Sequence, residues 1–399
     1  MRTDAGTRTQ QREADRTRTK RILIRSSIPL RSEFEGGADR LMVKVGEALR
    51  NVGWDVHFLS PAPRGSAGDN DLSTESDVTF HDFDYAAPDS SAAKILNSVR
   101  GASFFRKLVR EVEFDVVLDD ISHIPFYPAH FLSPDSVSNA LFVHTLYLES
   151  ANRFLGENKG RIIHLIERTL PYLDDPTVVC AGPSTASRVQ GGLGHDRTAI
   201  LNPCIELDAF DFNPTPESKT VLYLGRLTRR KNVGTLLDAW RRVEAESDEY
   251  ELVVAGTGYK EDELHERAAR LGLQNVDFRG YVSEREKRRL LSESALFVIP
   301  SLMEGYVTTG LEALASGTPI VGTDTYGVHD YVVDGDNGRL VDPEDAGELG
   351  SVLIETLGSP DDISRMAEQG RETAEDHSFA KFTERADELF TSISAGDNM

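Results

Sequence analysis

Apolar and polar positions along the chain fall into two successive series of short apolar runs separated by amphipathic stretches. The run RILIRSS (21–27) leads into a loop that carries Gly36 and Gly37. Residues 38–53 then place Leu41, Val45, Ala48, Leu49 and Val52 at helical spacing, closed by Gly53. VHFLS (56–60) reads as a second strand, so the opening is a βαβ unit, which requires a parallel sheet and a crossover helix. The polar, turn-rich stretch 61–77 reads as a loop. Further strands are predicted at 116–120, 140–145 and 177–182, with helical segments between them.

Residues 199–219 end this series and contain Pro203, Pro214 and Pro216, the composition of a linker. A second series follows: a strand at 221–227, a helix from about Asn232 to Glu246 and a strand at 251–258. A helix at 260–271 precedes strands at 276–282, 296–301 and 319–324. Strands alternating with helices of 10–15 residues, twice over, predict two doubly wound α/β domains that face each other across a cleft. The expected division is a tail over 1–20, a first, acceptor-side domain over 21–208 and a second domain over 209–377. The segment 378–399 is expected to form a C-terminal helix that returns to the first domain.

At 399 residues the chain is long enough for two such domains, and no run approaches the apolar length of an ordinary transmembrane helix. The first twenty residues lack an apolar core of the kind a secretory signal needs. Cys180 and Cys204 are the only cysteines and have no metal-ligand or redox spacing, which fits a reducing, cytoplasmic setting. Charge changes the picture more: 44 Lys and Arg against 66 Asp and Glu give a net −22. Such a chain is repelled by nucleic acid and by anionic lipid at ordinary salt, and no nucleic-acid partner is expected; a solvated acidic surface unrelated to partners is the alternative. With 34 Arg, 10 Lys and abundant carboxylates, it has the balance of a protein that works in molar salt, where the Debye length falls to roughly 3 Å. The first 25 residues are the local exception, with eight basic residues against three acidic. That tail reads as disordered, with contact to a membrane surface as the alternative.

Ligands of open parallel sheets bind beyond the carboxyl ends of the strands. One such end carries Gly225 and Arg226, with Lys231 five residues on, at the start of the next helix. Two cations beside helix N–H groups suit a diphosphate; a merely exposed basic turn is the alternative, since Arg229 and Arg230 lie there too. A second end carries Glu304 in a loop and a helix that starts near Thr308 and runs to Ser316. Thr308, Thr309 and Gly310 set hydroxyls, free N–H groups and a close backbone approach at its N-terminus, which favours phosphate. Glu304 is suited to sugar hydroxyls and Glu312, one turn into the helix, to a ribose diol; a plain surface helix is the alternative. Gly36 and Gly37 allow backbone to approach a phosphate or a sugar, as a flexible loop also would. His144 ends an apolar strand where a polar side chain faces the cleft, unless it is a satisfied core histidine.

Taken in order, GG…L…G (36–53), GRLTRRKN (225–232), VAGTG (254–258), FRGYV (278–282) and EGYVTTGLEALASGTPIV (304–321) resemble glycosyltransferase family 4. That family consists of retaining, nucleotide-sugar-dependent enzymes of the GT-B fold. The resemblance spans about 21–375 and is most specific over 221–345. It implies that Arg226 and Lys231 neutralise the donor diphosphate, that Glu304 and His144 meet the donor sugar, and that Glu312 holds the ribose. It further implies that Gly37 lies near the phosphate and that the backbone around Val282 meets the base. Gly225 and the loop Gly305, Tyr306 and Val307 complete the implied donor site. Two departures stand out: Val307 replaces a glycine common in the family's loop, and Asp330 stands where Glu is commoner.

The resemblance therefore implies a hexosyltransferase-type enzyme that moves sugar from a nucleoside-diphosphate sugar to an acceptor hydroxyl through an oxocarbenium-like transition state. Three Asp-x-Asp pairs (69/71, 82/84, 334/336) match what 34 Asp give by chance, so no metal and no further cofactor are expected. A glycan or lipid-linked acceptor is expected, with peripheral contact at the inner membrane face; the segment 147–167 is amphipathic and partly basic. A nucleotide-sugar 2-epimerase and a non-catalytic nucleotide-sugar-binding protein are the rival readings.

Overall fold

The computed structural model describes residues 18–26, 30, 37–62, 78–84, 91–121, 132–172 and 176–396. Two all-parallel sheets organise them. The first has seven strands in the order β3-β2-β1-β4-β5-β6-β7. These are β1 (Arg21–Arg25), β2 (Asp55–Ala62), β3 (Thr79–Asp84), β4 (Val116–Ile121), β5 (Ser138–Val143), β6 (Thr177–Cys180) and β7 (Thr198–Ile200). The second runs β10-β9-β8-β11-β12-β13, with β8 (Thr220–Leu224), β9 (Glu251–Ala255), β10 (Val276–Gly280), β11 (Leu296–Ile299), β12 (Ile320–Thr323) and β13 (Gly338–Val341). In both sheets the order reverses in mid-sheet, at β1/β4 and at β8/β11, and a crevice opens at each reversal beyond the strand ends.

The crossover helices of the first half are α1 (Gly37–Asn51), α2 (Ser91–Glu111), α3 (Ala151–Leu155), α4 (Glu157–Glu167) and α5 (Pro183–Arg188). Those of the second are α6 (Val233–Glu246), α7 (Glu261–Leu271), α8 (Glu284–Glu293), α9 (Thr308–Ser316), α10 (Ala346–Leu357) and α11 (Pro360–Asp376). Alternating strand residues face opposite layers. Ile22, Ile24, Val56 and Phe58 meet α1, while Leu23, Leu59 and Val117 meet Ala102, Phe105 and Leu108 of α2. The second half is built alike, with Trp240 of α6 fully buried against β8, β9 and β11.

The last helix, α12 (Phe379–Ala395), belongs to the first sheet's core. Phe382, Ala386, Leu389, Phe390 and Ile393 are all buried there, and Trp54 Nε1 donates to Asp387 Oδ1 at 2.9 Å. At roughly 1.5–3 kcal/mol per large buried side chain, this contact fastens the chain's end onto the domain that begins it. Strands β3, β7 and β13 went unread in the sequence because each is short or partly exposed. The strand expected over 140–145 stops at Val143, which leaves His144 just past its end. The tail over residues 1–17, the loop residues 63–77 and Gly36 lie outside the described residues.

Candidate active site

The basic turn after β8 is built from close backbone contacts. Gly225 N donates to Ala255 O at 3.0 Å and Leu227 N to Thr257 O at 2.8 Å. Gly256 (φ +134°) lies so near this turn that a Cβ on it would sit 2.0 Å from Gly225 O. Residues Arg229–Lys231 form a 3-10 turn, and Asn232 follows in the left-handed conformation (φ 54°) that Asn tolerates better than most residues. Its side chain is fixed at both ends, with Nδ2 donating to Pro343 O and Oδ1 accepting from Thr235. This reversal swings Lys231 back toward the strand end while Arg226 stays exposed.

Lys231 Nζ lies 2.8 Å from Glu304 Oε1 and Arg230 Nη2 3.6 Å from Oε2, with the Glu304 side chain only 3% exposed. Burial alone would raise the Glu304 carboxyl, but the Lys231 and Arg230 charges outweigh it and hold it below its ordinary value. Burial lowers the Lys231 amine, opposed by the Glu304 carboxylate and helped by the neighbouring Arg230 and Arg226 charges. The two loops are tied together, since Leu302 N donates to Arg230 O at 2.9 Å. Arg230, which looked like surface charge in the sequence, is thus part of the cluster. Nothing in its position signalled that; Lys231 shared the same basic run.

Helix α9 starts directly after this loop, and Val307 at its N-cap supplies no side-chain acceptor. Its first N–H groups therefore remain available to an anion beside Thr308 and Thr309. The small or apolar residues of this segment also pack within the protein. The Val307 side chain turns into the core with Leu311 and Tyr331. Tyr306 stacks on Tyr331 at 5.1 Å and its hydroxyl pairs with His377 Nε2 at 2.6 Å, so its ring is also structural. Gly310 has no Cβ because Tyr331 Oη and Ile299 occupy that space, and no close approach to a ligand is needed to explain it.

Gly305 marks where the two halves touch. A Cβ there would lie 2.1 Å from His144 O and 2.9 Å from Thr145 Cβ. His144 Nε2 pairs with Asp120 Oδ1 at 2.9 Å, and Asp120 Oδ2 accepts from Ser26 Oγ at 3.0 Å. Asp120, at the carboxyl end of β4, fixes the ring's orientation and is a partner the sequence reading missed, although its strand-end position was a usable signal. The His144 side chain is 13% exposed, so the imidazole sits at the seam and not deep in the core.

One turn into α9, Glu312 Oε1 accepts from Lys287 Nζ at 2.9 Å, while Oε2 has no hydrogen-bond partner among the described residues. Burial pushes its carboxyl up, against the pull of Lys287. It lines a cavity of about 210 Å³ between the halves, with Arg40 and Lys44 of α1, Glu284 and Arg288 of α8, and Thr308. Arg40 spans the cavity's edge to Glu284 at 3.7 Å. Gly37 is the first residue of α1, and Val282 is half-buried in the loop between β10 and α8.

Asp330 sits at a second contact between the halves. Its carboxylate accepts from the backbone N–H of Ser184 (3.1 Å) and from the Ser184 hydroxyl, across the seam. His329 bridges Ser184 Oγ (2.9 Å) and Asp324 Oδ1 (2.6 Å). The distances resemble a hydrolytic triad, but Ser184 is buried and its proton is engaged by Asp330, so the group acts as an interdomain latch. Asp330's departure from the commoner Glu therefore falls at the seam, away from the cation cluster.

Two family models match adjoining stretches of the chain, Glycosyltransferase Family 4 over residues 35–209 and Glycosyl transferases group 1 over residues 205–373. The chain belongs to the family 4-like GT-B glycosyltransferases. Its transferase function is glycosyl transfer. The enzyme is 27% identical over 341 residues to the phosphatidyl-myo-inositol mannosyltransferase of Mycolicibacterium smegmatis, covering 82% of this chain and 83% of that one. It is 30% identical over 203 residues to the lipopolysaccharide core biosynthesis glycosyltransferase LpsE of Rhizobium meliloti, covering 49% and 58%. Among solved structures, sucrose-phosphate synthase from Thermosynechococcus elongatus superposes with a TM-score of 0.77 at 17% identity over 95% of this chain and 100% of that one. The Anabaena protein HepE in complex with UDP and glucose does so with a TM-score of 0.70 at 16% identity, over 94% and 100%. These likenesses carry the GT-B architecture of this transferase and no more.

Proposed function

We propose that the enzyme is a retaining, metal-independent hexosyltransferase that takes its sugar from a nucleoside-diphosphate donor bound in the cleft. The observation that carries the reading is the buried Lys231–Glu304–Arg230 cluster beside the open N-terminus of α9, facing His144 across the seam. The diphosphate leaving group lies against Arg226, Lys231 and the first N–H groups of α9. There, preorganised positive charge is worth most as the glycosidic bond breaks and the sugar becomes oxocarbenium-like. That set supplies the neutralisation a metal would otherwise bring. Glu304 binds the sugar's hydroxyls, and Glu312 offers its free oxygen to the ribose, with the base over the backbone at Val282. The acceptor hydroxyl approaches on the leaving-group face, and its proton passes to the departing phosphate. His144, oriented by Asp120, packs along the donor sugar and excludes water there. The complex of HepE with UDP-glucose supports a nucleotide-sugar donor for this fold.

The acceptor side is proposed to work at a membrane face of the cytoplasm, on a glycan or lipid-linked acceptor. Helix α4 exposes Ile162 and Leu165 (60% and 67%) beside Lys159, Arg161 and Arg168, and Tyr172 nearby is 84% exposed. Helix α2 exposes Val99 beside Arg100, Arg106, Lys107 and Arg110. Cations rimming apolar side chains in a chain of net −22 suit an anionic lipid surface. Among the described residues no helix is long and apolar enough to cross a membrane. The acidic balance is proposed to fit molar salt.

A donor screen tests the reading: thermal shift and slow hydrolysis with UDP-, GDP- and ADP-sugars, in molar KCl with EDTA, on wild type and Glu304→Ala. Stabilisation by one nucleotide and diphosphate release that Glu304→Ala abolishes are expected. No shift with any nucleoside diphosphate at any salt concentration overturns it.

A further inference from the structure

Glu167, the last residue of α4, is only 7% exposed and touches no group of the cation cluster. Its carboxylate accepts two successive backbone N–H groups, from Tyr147 at 2.7 Å and from Leu148 at 2.6 Å. Leu148 has φ 44°, one of two non-glycine residues with positive φ among the described residues. A branched, buried side chain in that conformation is unfavourable unless its surroundings enforce it. On the opposite side of the turn, Arg188 of α5 donates to Tyr147 O at 3.1 Å and lies over the Tyr326 ring at 4.8 Å. The turn is thus held by its N–H groups from α4 and by its carbonyl from α5 and locally from Ser150, whose backbone N–H (2.9 Å) and hydroxyl (2.5 Å) also donate to Tyr147 O.

What the turn carries gives the grip its meaning. Three residues upstream, His144 O lies where a Gly305 Cβ would be, and Tyr326 O accepts from Glu304 N at 3.1 Å. Downstream, Ser150 Oγ donates to Tyr147 O at 2.5 Å and lies 3.4 Å from Met303 Sδ, and Tyr147 packs with Met303. Both flanks of the Glu304 loop therefore rest on the gripped turn. An ionised carboxylate is an expensive way to fill a buried site, so packing alone does not account for Glu167. We propose that Glu167 is a positioning residue, holding the Tyr147–Leu148 turn in its left-handed form so that His144 and the Glu304 loop meet in register. The inference rests on the proposed donor site for its kinetic consequence and on the geometry alone for its structural one.

A carboxylate can accept both N–H groups; a carboxamide accepts one and presents donors to the other. Glu167→Gln keeps the shape of the side chain and releases half of the grip, while Arg188→Gln releases the turn from α5. Each variant is expected to lower kcat by tenfold or more, as a misplacement of about 1 Å does. Nucleoside-diphosphate affinity should stay within twofold, because the charged contacts proposed for the diphosphate, Arg226, Lys231 and the first N–H groups of α9, lie in the other half. The double variant should be little worse than the poorer single one, since both act on one turn. The groups facing Glu167 are His164 on its own helix, Arg188 from α5 and the two amides. Burial raises the carboxyl above its ordinary value against all of them. Wild-type kcat is therefore expected to fall on the acid side at a pH above the usual carboxylate range, and Glu167→Gln to lack that limb.

Hydrogen exchange gives a readout independent of turnover. In Glu167→Gln, protection should fall at residues 147–148 and also at 303–305. Loss confined to 147–148, unchanged kcat per folded molecule in both single variants, or multiplicative losses in the double each overturn the proposal. A wild type with no turnover on any nucleotide sugar removes the transfer reading, and the exchange pattern still decides the clamp.

Discussion

Replacing Gly305 by alanine tests the seam with one methyl group. Its Cβ would stand 2.1 Å from His144 O, where real Cβ contacts lie beyond 3.0 Å, and 2.9 Å from Thr145 Cβ. The carbonyl must retreat by about 1 Å, and the chain three residues on is pinned by Glu167 and Arg188, which limits that retreat. Retreat in the other direction is blocked as well. Gly327, with φ +76°, already sits so close that its own Cβ would be 2.6 Å from Gly305 O. The strain is relieved most cheaply by moving the halves apart along the seam, where Ser184 and Asp330 also meet. Overpacking of this kind typically lowers stability by about 1–3 kcal/mol. Displacing His144 from the Glu304 loop by about 1 Å is expected to lower kcat by about 100-fold.

Nucleoside-diphosphate affinity reports on contacts within the second half and should change by less than threefold. The assay is steady-state turnover with the donor identified by screening, alongside thermal melting and nucleotide titration. Gly53→Ala is the control. Its φ of +95° makes alanine strained, yet no heavy atom lies within 4 Å of the added Cβ, so it should lower melting slightly and leave kcat unchanged. If Gly305→Ala retains kcat within threefold of wild type, the contact does not set the geometry of transfer.

Glu304→Gln removes the anion from between two cations, so nucleoside diphosphate should bind severalfold tighter while kcat falls by about 100-fold or more; titration calorimetry with turnover checks both signs. Because the folded-state carboxyl lies below its unfolded value of about 4.3, its stabilising contribution is full above that pH and is lost as pH falls through the folded value, so acid melts of the two proteins should converge there. Gly256→Ala meets Gly225 O at 2.0 Å with φ +134° and is expected to destabilise by about 3 kcal/mol or more, read in a urea melt. His57 and His81 hydrogen-bond at 2.8 Å, burial lowers both, and Asp55, Arg21 and Asp82 act on them. A folded-state pKa below the unfolded value of about 6.5 means stability is lost as pH drops below that value, so the melting temperature of wild type should decline from pH 7 to 5 more steeply than that of His81→Gln.

Local pattern and tertiary approach divide what could be read from this sequence. Helix α9 was legible because an apolar stripe and a following glycine point the same way, although its N-cap, Val307, carries no capping side chain. The α12 segment showed its stripe, and its return to the first domain was expected; the face of α1 that receives it, more than 300 residues earlier, was not readable from the stripe. Residue type at a strand end likewise pointed to Glu304, Lys231 and His144. It could not pair Glu304 with Arg230 or His144 with Asp120, because those contacts join loops from separate crossovers. Val307, Tyr306 and Gly310 mark the limit most clearly. Motif position set them beside a ligand by resemblance; it could not show that the Val307 side chain packs in the core and that the Tyr306 and Tyr331 rings stack with each other. What a glycine or a valine is for is set by the atoms that approach it, and spacing along a chain does not encode that.

The seam between the halves follows from the same physics. A GT-B cleft needs its two half-sites close, and here each sheet has its own core, with the small buried cluster of Tyr147, Ala151, Ile163 and Met303 as an apolar contact between them. Among the contacts that set the register in this chain are Gly305 on His144, Ser184 on Asp330 and His329, and Tyr147 on Met303, with Arg188 over Tyr326 and the ion pairs Arg40–Glu284 and Arg153–Glu344 beside them. The first is a close approach with no side chain between the backbones, the second is polar and the third rests on a turn held by a buried carboxylate. Polar contacts of this kind are directional and give up little apolar area when they open, so they position without welding. A transferase that must admit a donor, exclude water and release a nucleoside diphosphate requires that combination. It places the sensitivity of kcat at Gly305, Glu167 and Arg188, residues that contact neither diphosphate nor ribose in the proposed complex.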